Sequence, residues 1–195
     1  MRTRLPAIIA TTVLLSLTGA CGGEGSPGAS APVAKVQPPA GGTTLPQGTT
    51  LPVPEGRSIL TMSGVERPNV GKGLEVDLAT FDRMPTVEAT VYEPFLKRDV
   101  LFEGVLLSDL LEYAGVDPAG GMQVTALDDY RVDFSLTQLD EDRVLVATHA
   151  GGLAIEIPDG GPTRFIFLDG SNGLGSNTDN WVWSLADISF GSPRA

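Results

Sequence analysis

Short runs of β-branched and aromatic residues, each bounded by Gly, Pro, Asp or Asn, crowd into residues 57–191, and that crowding limits the possible folds more than any other feature. The runs at 58–65, 74–77, 87–92, 123–126, 131–135, 144–149, 163–168 and 181–184 have the length and composition of strands. Two segments depart from this pattern, because 78–84 and 106–114 space their apolar residues at helical intervals. In the second, Leu107, Leu110, Leu111 and Ala114 form one stripe. Ser108 is placed to cap its start, and Gly115 to end it ahead of Asp117-Pro118. The order predicts one α+β domain over 57–191, rich in sheet, with few short helices.

The segment before that domain is of another kind. Residues 22–56 are Gly, Pro, Ala, Ser and Thr with few large apolar side chains, and read as a semi-extended linker with no core to bury. Residues 1–20 read as a signal peptide: Arg2 and Arg4 form a basic start, and 7–17 is an apolar run too short to span a bilayer comfortably. The run ends Leu17-Thr18-Gly19-Ala20-Cys21, the pattern of a lipoprotein cleavage site. The expectation is therefore a mature chain lipidated at Cys21, anchored to the cell membrane and carrying its domain on the extracytoplasmic face. An ordinary secreted protein is the plainer alternative.

Composition excludes several classes. Cys21 is the single cysteine, which rules out an internal disulfide, a zinc cluster and an iron-sulfur site. The net charge is −11, and loss of residues 1–20 would remove two arginines and no acid, so nucleic acid is not an expected partner.

Within 57–191 a series of motifs recurs in a familiar order: Phe102-x-Gly104-Val105-x-Leu107-x-x-Leu110-Leu111, Ala114-Gly115-Val116, Asp129-Tyr130-x-Val132, Gly161-Pro162-x-Arg164, and Trp181-x-Trp183-x-Leu185-x-x-Ile188. The pattern resembles the molybdopterin-binding domain of the sulfite-oxidase family. The resemblance implies a mixed α+β fold with a curved sheet, and a pocket for molybdopterin or another pterin. Redox-active members of that family hold molybdenum through a cysteine ahead of the Gly-Val-x-Leu helix. Here that stretch reads Val87-Glu88-Ala89-Thr90-Val91-Tyr92, which offers only hard oxygen donors. A pterin phosphate would have to meet a basic side chain.

The candidate ligand-binding residues are Tyr92, Tyr130, Arg131, Arg164, Asn172, Asn180 and Trp181. A guanidinium at Arg131 or Arg164 suits a phosphate or carboxylate through paired hydrogen bonds, or else it pairs with an acid such as Asp128, Asp129 or Asp169. Trp181 and Trp183 stand two apart on a strand and share a face, where Phe165 or Phe167 would complete an aromatic wall for a flat ring. Core packing explains the same alternation. Tyr92 and Tyr130 suit a pocket rim. The stretch 169–180, rich in Gly and Asn, is a candidate lid, neither a dinucleotide loop nor an EF-hand, since a strand follows it and Asn180 stands at its twelfth position. His149, the lone histidine, lacks a companion nucleophile motif and is read as a turn residue. Three functions fit these residues: a non-catalytic small-ligand-binding lipoprotein, an envelope protein-interaction or redox-accessory module, and a molybdenum-dependent oxidoreductase.

Overall fold

The computed structural model describes residues 33–35, 44–169 and 173–191. Its strands are β1 (Val33–Lys35), β2 (Ser58–Ser63), β3 (Leu74–Asp77), β4 (Thr86–Glu93), β5 (Arg98–Leu106), β6 (Gly121–Ala126), β7 (Arg131–Ser135), β8 (Val144–Ala150), β9 (Leu153–Ala154), β10 (Thr163–Phe167) and β11 (Val182–Gly191). The helices are α1 (Leu78–Phe81) and α2 (Leu107–Ala114). The expected sheet-rich α+β domain is what forms. Among the described residues no helix is long and apolar enough to cross a membrane.

One sheet runs β1-β4-β5-β8-β10-β11-β2-β3. Strand β11 organises it, because its first residues pair with β10 while its later residues pair in parallel with β2 and, on the other edge, with β6. A strand with three partners must bend. Ser184 takes a left-handed backbone with φ 51°, and register shifts fall at both ends of that stretch. The bend leaves Trp181 and Trp183 at the start of β11 beside the β4–β5 turn.

The core lies against α2, whose Leu107, Leu110, Leu111 and Ala114 are all buried, as the stripe requires. Gly115 ends the helix in the left-handed conformation at φ 70°. The start differs from expectation: the capping position is Leu106, and no side chain caps it. Ser108 lies two residues too far in, because β5 runs directly into the helix. Helix α1 is capped by Asp77, whose side chain accepts from the Thr80 N–H at 2.9 Å and from the Gly56 N–H at 2.9 Å.

Two further corrections concern strands and boundaries. Strand β5 lies outside the expected strands, since Arg98, Asp99 and Glu103 place charge among its apolar residues, yet it pairs with β4 from Arg98 to Val105 and with β8 as well. The expected linker also enters the fold. Leu51 is 2% exposed in the core, the Tyr113 hydroxyl donates to the Leu45 carbonyl at 2.8 Å, and β1 pairs with β4. The folded unit therefore starts well before residue 57. Isolated leucines in a proline-rich stretch carry no periodicity, but proline lowers the entropy lost when such a stretch docks.

Candidate functional site

The site forms where the β4–β5 turn, the start of β11 and the segment 173–180 converge. Strand β4 ends at Glu93, and the turn back to β5 is closed by the Lys97 N–H donating to the Glu93 carbonyl at 2.8 Å, with Lys97 itself at φ 53°. This geometry buries the Glu93 side chain completely and lifts Phe95 into solvent. Glu93 accepts the Trp183 indole N–H at 3.1 Å on one oxygen and the Leu96 backbone N–H on the other. A carboxylate deep in the fold is tolerable because both oxygens are served and a guanidinium lies nearby.

That guanidinium is Arg164, 4% exposed on β10. Its central carbon lies 3.8 Å from the centre of the Trp183 ring and 5.8 Å from that of Phe102. Its Nη2 donates to the Asp159 carbonyl, while its Nε has no partner among the described residues. Burial lowers the arginine's pKa, and the charges of Glu93 and Asp159 oppose that shift. The stack depends on Gly160, at φ 84°, where a Cβ would stand 2.6 Å from the Trp183 ring and 2.9 Å from the arginine. Only a glycine leaves room for indole on guanidinium.

On the outer side of Trp183 lies a cavity of about 400 Å³ lined by Phe95, Tyr130, Thr178, Asp179, Trp181 and Trp183. Phe95 meets Trp183 edge-on, with ring centres 5.7 Å apart at 77°. The Tyr130 hydroxyl donates to the Asp179 carbonyl at 2.7 Å, and the Trp181 N–H donates to the Gly175 carbonyl at 2.9 Å. Trp181 also packs on Phe167, with centres 6.0 Å apart.

The expected residues divide accordingly. Tyr130 and Trp181 line the cavity, and Trp183 joins them as the shared-face argument required. Arg164 does not line it: the indole stands between, so the expected phosphate contact is replaced by a buried stack. Arg131 is exposed and pairs with Asp129 at 3.6 Å, so its expected ligand role gives way to a local ion pair. Tyr92 sits half-buried on β4 opposite Asp99, off the cavity. Asn180 donates to the Leu174 carbonyl at 2.7 Å and holds the turn it belongs to. Cys21 and Asn172 lie outside the described residues.

The described part of the expected lid is tied down. Gly173–Ser176 and Thr178–Asn180 are short 3-10 turns, joined by the Asn180 bond, by the Asn177 side chain accepting from the Asp179 N–H at 3.1 Å, and by the Ser176 hydroxyl on the Gly173 carbonyl. His149 lies on β8 with Nδ1 3.0 Å from the Thr148 hydroxyl, within the sheet. Sequence reasoning missed Glu93 and Phe95, while Thr178 and Asp179 fall within the expected lid without being singled out. The tripeptide Glu93-Pro94-Phe95 would have pointed to the first two only with the hairpin already in view.

This sheet-rich domain with few helices has the sulfite-oxidase-like molybdopterin-binding fold. Residues 79–171 match the family described as the oxidoreductase molybdopterin binding domain. Among solved structures the chain is similar to the sulfane dehydrogenase SoxCD from Paracoccus pantotrophus, at 21% identity and a TM-score of 0.50 over 67% of this chain. It spans 37% of that chain. No curated protein matches the chain.

Proposed function

We propose that this chain is a small-ligand-binding lipoprotein, tethered to the membrane through Cys21 on the extracytoplasmic side, which keeps the pterin-binding fold class without molybdenum catalysis. The observation that carries the reading is the aromatic cavity, with Trp183 held rigid between Arg164 and Phe95 and by its bond to Glu93. Flat faces fixed at the mouth of a cavity of this volume suit a planar ring, and little side-chain freedom is lost on binding.

The molybdenum cofactor is the group the fold class implies, and the residues do not fit it. Metal ligation needs a soft thiolate, yet Cys21 is the single cysteine and precedes the domain, and the stretch 87–92 supplies threonine and tyrosine oxygen. The phosphate needs an accessible cation. The arginine stacks on the Trp183 indole outside the lining, and the carboxylate in the lining is that of Asp179. No reaction step is therefore derived through that group.

The test uses the full chain, exported from a host that makes and exports molybdopterin, by native mass spectrometry with parallel elemental analysis. A retained organic mass without molybdenum is the expected result. Stoichiometric molybdenum would overturn the reading in favour of an oxidoreductase, the alternative favoured by the family match over 79–171. Bare protein that also fails to bind any flat-ring probe on addition, pterins included, would overturn it in favour of an envelope-protein interaction module, for which exposed Phe95 and Leu96 offer apolar surface.

A further inference from the structure

We infer that the aromatic cavity selects a small, flat organic cation. The inference rests on the small-ligand reading above and names the charge of the ligand. The charge of a guest is decided by the groups that the lining leaves free for it. Each aromatic side chain that carries a polar hydrogen already uses it inside the protein: Trp183 N–H on Glu93, Trp181 N–H on the Gly175 carbonyl, Tyr130 O–H on the Asp179 carbonyl. What these rings and Phe95 leave to the cavity is therefore aromatic carbon, and a cation seated over a ring face meets the negative potential of its quadrupole.

The charges nearby point the same way. Asp179 is the carboxylate of the lining, exposed to solvent, and Thr178 adds a hydroxyl. Of the nearby cations, Lys97 and Arg98 follow Phe95 in its turn but lie outside the lining, and two others are engaged. Arg131, next to Tyr130, pairs with Asp129 at 3.6 Å, and Arg164 lies behind the Trp183 ring near the buried Glu93 carboxylate. An anion would find no lining cation, and a neutral ring would gain stacking alone. A flat cation gains stacking, attraction to the rings and the Asp179 charge, within a chain of net charge −11.

Isothermal titration on the full chain in zwitterionic nanodiscs tests this with matched bicyclic probes at mildly alkaline pH: 1-methylquinolinium, neutral quinoline and anionic 2-naphthoate, with a free pterin as a fourth. The expected order is the cation at least about tenfold tighter than quinoline, with 2-naphthoate weakest. Asp179→Asn lowers the cation-over-neutral ratio by about threefold, and added salt lowers it in the unsubstituted chain. Phe95→Ala, at an exposed position, weakens every probe with the fold unchanged by circular dichroism. Equal binding of cation and quinoline, or preference for 2-naphthoate or the pterin, with loss on Phe95→Ala, overturns the charge selection and leaves the small-ligand reading standing. No binding of any of the four overturns both.

Discussion

Glu93 shows how one side chain can decide the shape of a site. It is fully buried, accepts two N–H groups from Trp183 and Leu96, and lies near the guanidinium that stacks on the same indole. Glu93→Ala leaves those two donors without their acceptor and Arg164 without a nearby opposite charge, and is expected to destabilise the fold by about 3 kcal/mol in urea titrations, with a smaller loss for Glu93→Gln. Tyr113 is the second residue whose environment can be read out. Its ring is buried, its hydroxyl donates to the Leu45 carbonyl, and its pKa is pushed up to about 12 by burial and then by the Asp109 and Glu112 charges. The folded value lies above the ordinary 10.0, so the contribution is fully present below pH 10.0 and is lost as pH rises toward 12. Denaturation as a function of pH should show stability falling over that window, with the fall shallower in Tyr113→Phe.

At the scale of elements, two strands approach closely at Gly104, where β5 shifts register against β8. A Cβ there would stand 2.2 Å from the Val146 carbonyl oxygen and 2.6 Å from the Ala147 Cα, both backbone atoms with nowhere to move. Gly104→Ala is expected to cost about 3 kcal/mol or more, or to prevent folding, and thermal unfolding of the exported chain checks it. This explains why a motif glycine sits in a strand interior, a position that otherwise favours β-branched residues. Several elements were legible because their signal is local. The α2 stripe, Gly115 and the runs of β3 and β7 depend on spacing within a few residues. Strand β5 was not, since its charged exposed side obscured an alternation that only pairing with β4 and β8 reveals. The cap at Ser108 failed for the same reason: a strand that feeds straight into a helix shifts its first turn.

For the whole molecule, the informative question is where folding begins along the chain. Leu51 is 2% exposed within the core, Leu45 packs against it, and the Asn69 side chain donates to the Pro52 carbonyl at 2.7 Å. Leu51→Ala is expected to cost about 3 kcal/mol in chemical denaturation, and a chain starting at residue 57 to be less stable still than one starting at residue 44. Equal stability of those two chains would show that the segment is dispensable. Taken alone, the sequence determined the sheet-rich α+β class, the stripe and stop of α2, the resemblance to the sulfite-oxidase type of domain, and the pairing of Trp181 with Trp183 on one face. The class, the helix stripe and the tryptophan pair follow from residue spacing within short windows, and the resemblance rests on the order of motifs from Phe102 to Ile188. The tertiary structure decided the rest. It placed Glu93 and Phe95 against Trp183 across 90 residues of chain, withdrew Arg164 behind an indole, turned Arg131 to a local acid and drew 44–56 into the fold. Those outcomes depend on which strands become neighbours, and the bend in β11 sets that through contacts distant in sequence.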